Sequence, residues 1–171
     1  MNVTRPPLNN RLVRRALAMA LDRQSIVDSV MHGAQLPASC FTPPNTAGYT
    51  CQSSIPYDVG LARKTLAQAG YPNGLGLPPI EILFNTSENH KLIAEALQQM
   101  WRQNLNVAAT LVNQEEKVYS IRGVRTEAIL LEDAPILPVY FYTHAFLIRP
   151  SLKGWYPTIL DHHPYKYVHL E

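Results

Sequence analysis

The sequence predicts an α/β domain, and three observations point that way. Residues 79–85 (PIEILFN) alternate apolar and polar side chains as a strand does, and residues 107–112 do the same. Between them runs a long stretch with apolar residues at helical spacing, so the order is strand, crossover helix, strand, which places two parallel strands in a right-handed unit. With 46% hydrophobic and 16% charged residues, the 171-residue chain has the make-up of one folded domain.

From the amino terminus, Asn10 is placed to cap a helix in which Leu12, Val13, Ala16, Leu17, Ala20 and Leu21 share a face. Asp22 is placed to cap a second helix that turns Ile26, Val27 and Val30 inward and stops at Gly33. A loop rich in Pro, Thr and Asn follows between Cys40 and Cys51. Asp58 opens a third helix with Leu61, Ala62, Leu66 and Ala69 apolar, ended by Gly70, and residues 72–76 (PNGLG) form a turn. In the first strand Ile80, Ile82 and Phe84 face one way. Ser87 is the expected cap of the crossover helix, whose stripe is Leu92, Ile93, Ala96, Leu97, Met100 and Trp101. In the second strand Val107, Ala109 and Leu111 share a face. Residues 120–126 carry no clear period, and residues 135–148 form a strongly strand-forming run that predicts a bent strand or a hairpin near residues 143–145. The expected sheet is mixed, with flanking helices.

Several classes of function are disfavoured by these residues. A formal charge of +2, with Lys and Arg scattered, gives no footprint for nucleic acid. Residues 12–30 are interrupted by Arg14, Arg15, Asp22, Arg23 and Asp28, so no segment predicts membrane insertion. The first seven residues (MNVTRPP) lack the pattern of a secretion signal, and the final Leu170-Glu171 pair is of the kind that cloning leaves behind. His144, Asp161, His162, His163 and His169 form no helical metal-binding set, and no Gly-x-Ser-x-Gly turn exposes a nucleophile, so neither a metal nor any other cofactor is expected. Cys40 and Cys51 bracket one short irregular loop. They read as a disulfide staple in an oxidising compartment, or else as two unrelated thiols.

Phrases in fixed order along the chain resemble the extracellular solute-binding proteins of oligopeptide and dipeptide ABC transporters. They are residues 9–26 (NNRLVRRALAMALDRQSI), 41–44 (FTPP), 83–91 (LFNTSENHK), 100–101 (MW), 112–115 (VNQE), 131–142 (LEDAPILPVYFY) and 153–156 (KGWY). The resemblance implies the C-terminal lobe of a periplasmic binding protein, lacking the first lobe. It also implies an internal shortcut at residues 117–128, where the family has a longer segment with an acidic anchor for the peptide amino terminus. Glu116 stands where that family usually carries an aromatic residue lining the cleft. An excised or engineered lobe is the expected origin, since a carboxylate keeps a newly bared face soluble.

The same resemblance implies a binding module and not an enzyme. In the intact family two lobes close on an extended peptide held largely through its main chain. The expected partners of the parent are short peptides and an ABC permease, and its expected location is periplasmic or extracellular. The candidate ligand-binding residues are Asn85, Thr86, Ser87 and His90, where a strand's carboxyl end meets a helix, together with Glu116. For the first four the plain alternative is a helix cap by Ser87 beside a solvated His90.

Overall fold

The computed structural model describes residues 1–32, 35–40, 42–43, 51, 53–114, 139–141, 152–153 and 169–170. The first helix, α1 (Arg11–Met19), begins where the Asn10 side chain accepts from the Leu12 amide. In α2 (Arg23–Ser29) the Asp22 carboxylate accepts from both the amide and the hydroxyl of Ser25. Asp58 likewise accepts from the Leu61 amide at the start of α3 (Val59–Gln68). Each of these three side chains takes up an amide that the first helical turn leaves unpaired, as the sequence predicts.

The α3 helix ends in a Schellman motif. Gly70 adopts φ +96°, its amide donates to Ala67 O, and the Tyr71 amide returns to Leu66 O. A short 3-10 turn (Pro72–Gly74) follows and leads into β2 (Ile80–Asn85). Helix α4 (Glu88–Leu105) then carries the chain to β3 (Ala109–Gln114), which pairs parallel with β2 from Ile80↔Ala109 to Asn85↔Gln114. The expected strand-helix-strand unit is therefore present. Its second strand starts two residues later than the alternation predicts, because the Val107 amide closes the end of α4 on Trp101 O and pairing resumes beyond it.

Two short antiparallel pairs complete the described strands. β1 (Leu36–Pro37) lies against β4 (Tyr140–Phe141), and β5 (Leu152–Lys153) against β6 (His169–Leu170). Both pairing directions occur, in three two-stranded ladders among the described residues. Of the long apolar run near residues 135–148 only Val139, Tyr140 and Phe141 are described. The Gly33 stop, the shortcut at 117–128 and the turn near 143–145 lie outside the described residues.

Helix α1 is the centre of the core. Val13, Ala16, Leu17, Ala18 and Met19 are buried, as are Ala20 and Leu21 just beyond it, and they join Ile26, Leu66, Ile93, Leu97, Trp101, Leu105 and Val107 in one cluster. Burying each large apolar side chain of this kind contributes roughly 1.5–3 kcal/mol. A helix so buried must have its terminal carbonyls satisfied by protein groups, since water is excluded. They are. Ala16 O accepts from the Ala20 amide, Leu17 O from the Trp101 indole, Met19 O from the Asp58 amide and Ala20 O from the Asn104 side chain. Ala18 O accepts from the guanidinium of Arg23, which also reaches Leu21 O. Burial lowers the pKa of Arg23 from its ordinary value, while the negative end of α1 stabilises its cation. At the other end Arg14, also buried, donates to Leu8 O and Asn9 O and ties the entering chain to α1.

Two positions differ from the expected apolar faces. Leu92 and Leu61, placed on the buried stripes by spacing, are 46% and 44% exposed. On α4 the buried set is Ile93, Ala94, Leu97, Trp101 and Leu105, a stripe turned about one residue from the expected one.

Candidate functional site

The carboxyl ends of β2 and β3 lie side by side because their pairing is parallel, and the turn into α4 leaves from the same edge. In open α/β sheets this edge is where ligands bind. The register sets Phe84 opposite Asn113 and Asn85 opposite Gln114. The face bearing Ile80, Ile82 and Phe84 on one strand, and Ala109 and Leu111 on the other, is apolar until those last positions. There it turns polar, with Thr86 following Phe84 and Asn113 following Leu111.

Polar side chains at this edge are tied to one another. The Thr86 hydroxyl donates to Asn113 Oδ1 at 2.9 Å. The imidazole Nδ1 of half-buried His90, one turn into α4, is bonded to Asn85 Oδ1. Ser87 holds the N-cap position of α4, but its side chain makes no capping hydrogen bond. The plain expectation of a Ser87 cap beside a solvated His90 is thus corrected: the positive end of the helix is met by Glu88 in its first turn, and His90 is engaged with Asn85. Deeper along the unit, the Gln98 amide donates to Ala109 O and ties α4 to the start of β3.

Four of the predicted residues, Asn85, Thr86, Ser87 and His90, are therefore brought to one edge. Glu116 lies outside the described residues. The sequence expectation does not include Asn113 and Gln114, although a signal for them exists: the phrase VNQE ends a strand, and parallel pairing with residues 80–85 carries its polar end to the same edge.

Cys40 and Cys51 are not joined to each other. The Cys40 thiol donates to Thr42 O at 3.2 Å and the Cys51 thiol to Ser53 O at 2.7 Å, so the expected staple is unformed in this structure. The Ile55 amide donates to Ser39 O, which brings the two arms of the loop together beside the cysteines. Among the described residues no three His, Cys, Asp or Glu side chains are grouped to hold a metal ion, and no helix is long and apolar enough to cross a membrane. His144, Asp161, His162 and His163 lie outside those residues.

The sequence profile of bacterial extracellular solute-binding proteins, family 5 (middle region), matches residues 1–145. An oligopeptide-binding protein of Bacillus subtilis is 38% identical over 125 residues, which cover 69% of this chain and 23% of that protein. The periplasmic murein peptide-binding protein of Escherichia coli is 30% identical over 223 aligned residues, covering 90% of this chain and 41% of the relative. Because 90% of this chain is only about 154 residues, roughly seventy alignment positions have no counterpart in it. The crystal structure of a periplasmic oligopeptide-binding protein from Borrelia burgdorferi superimposes with a TM-score of 0.75 at 26% identity, covering all of this chain and 47% of its own. The chain thus spans less than half the length of each of these proteins.

Proposed function

The chain belongs to the bacterial extracellular solute-binding proteins of family 5, and on that premise we propose that it forms one wall of a peptide-binding cleft. The carrying observation is the parallel register that sets Asn85 opposite Gln114 and collects Asn85, Thr86, Ser87, His90, Asn113 and Gln114 at one sheet edge. A peptide main chain offers donors and acceptors in alternation, and amide, hydroxyl and imidazole groups can answer both. The relatives named for oligopeptides and murein peptides support a peptide as the ligand class. Glu116 joins this wall on the strength of the resemblance. Delivery to an ABC permease, and a periplasmic or extracellular location, belong to the same reading of the parent.

A single wall binds weakly. Association costs several kcal/mol of lost freedom, so the dissociation constant for a short peptide is expected near millimolar or weaker. Calorimetric titration with tri- and tetrapeptides tests this, and a micromolar constant would overturn the one-wall reading. A second reading, a lobe that folds without holding any peptide, is favoured by the roughly seventy alignment positions that this chain lacks. Unchanged amide spectra at saturating peptide would select it.

A further inference from the structure

Resting on the peptide-binding reading, we propose that Thr86 is a positioning residue for Asn113, holding its side-chain amide so that Nδ2 donates to a main-chain carbonyl of the bound peptide. The two side chains extend an otherwise apolar face at the point where both strands end. Thr86 Oγ1 donates to Asn113 Oδ1 at 2.9 Å, which fixes the amide plane and turns the Nδ2 hydrogens away from Thr86. Both residues are exposed, and an exposed hydrogen bond adds little to stability. Its effect is orientation. An Asn side chain held in one rotamer avoids part of the entropy that a free one loses on binding, so the contact is preorganised. The extended backbone of a peptide laid along the strand ends offers carbonyls for those hydrogens.

The test is a titration of the ¹⁵N-labelled chain with trialanine, followed through the backbone and side-chain amide resonances to about 20 mM peptide. The proposal expects the Asn113 side-chain resonances to move with the peptide. Asn113→Ala should weaken binding roughly three- to tenfold, the value of one hydrogen bond. Thr86→Val should weaken it at least about twofold while the melting temperature stays within about 2 °C, and Thr86→Ser, which keeps the hydroxyl, should restore it. If the wild type binds and Asn113→Ala binds equally well, the proposal falls while the peptide reading stands. Equal affinities for Thr86→Val and Thr86→Ser would remove the positioning role. If no resonance of the wild type responds, the positioning proposal and the peptide-binding reading fall together.

Discussion

The indole Nε1 of Trp101 donates to the carbonyl oxygen of Leu17 at 3.0 Å, joining residues that stand 84 positions apart. Leu17 is fully buried and Trp101 is 5% exposed, so no water can replace this donor. Trp101→Phe keeps most of the apolar surface but orphans the Leu17 carbonyl and leaves a small void. The expected loss is about 2–3 kcal/mol, read as a lower urea midpoint at unchanged m-value. As a control on the same helix, Leu92→Gln alters an exposed side chain and should stay within about 0.5 kcal/mol. Equal effects of the two substitutions would mean that the indole bond contributes nothing.

Gly74 and Gly76 separate two costs that usually come together. Both have positive φ, +74° and +76°, so Ala at either place suffers the same left-handed strain. A Cβ on Gly74 would also stand 2.6 Å from Leu105 O and 2.7 Å from Asn106 O, backbone atoms at the end of α4, whereas one on Gly76 meets nothing within 4 Å. Gly76→Ala should cost about 1 kcal/mol and Gly74→Ala clearly more, by about 2 kcal/mol or above. Thermal melts of the pair check the ordering, and a Gly74 variant as stable as the Gly76 variant would show that the turn shifts freely.

What was legible in the sequence divides along these lines. Asn10, Asp22 and Asp58 were readable as caps because each bonds an amide two or three residues away, within the window that a local pattern covers. Gly70 was readable for the same reason. The indole bond to Leu17 and the Asn104 bond to Ala20 O depend on which helices meet, and no spacing encodes that. The stripe on α4 differs from the periodic one because Leu92 and Ala94 flank Ile93 and hydropathy favours the larger residue, while packing against the core takes the smaller. At the site, the β2 end was found from its strand-to-helix turn. Its partners Asn113 and Gln114 needed the register.

The cysteine pair yields a redox prediction. The loop from Cys40 to Cys51 is short, and its arms are already drawn together by the Ile55 amide on Ser39 O. Refolding under mild oxidation should join the two thiols and stabilise the fold by roughly 2–3 kcal/mol on the chain-entropy model. Thiol counting by mass spectrometry after alkylation checks it. Two alkylated cysteines after oxidation would leave the pair as separate thiols, each bonded locally as in this structure.

The described residues on both sides of positions 117–128 meet one core: Val13, Leu17, Leu66, Trp101 and Val107 form the cluster, and Val139 and Tyr140, from beyond those positions, pack against it. β4 adds backbone bonds to β1, and the Ala38 amide donates to Val139 O at 3.0 Å. A segment that shares side-chain contacts and a ladder with the main core cannot leave without exposing both, so it should not melt separately. Calorimetry should therefore show one transition whose van't Hoff and calorimetric enthalpies agree, with far-UV and tyrosine signals changing at the same midpoint. The decisive variant is Tyr140→Ala, made in a Trp155→Phe background so that tryptophan fluorescence reports Trp101 alone. If the chain is one unit, this substitution lowers the midpoint of the whole transition, including the signal from Trp101. If the midpoint seen by Trp101 fluorescence stays fixed while a second, earlier transition emerges, the residues beyond position 128 form a separate unit and the single-domain reading fails.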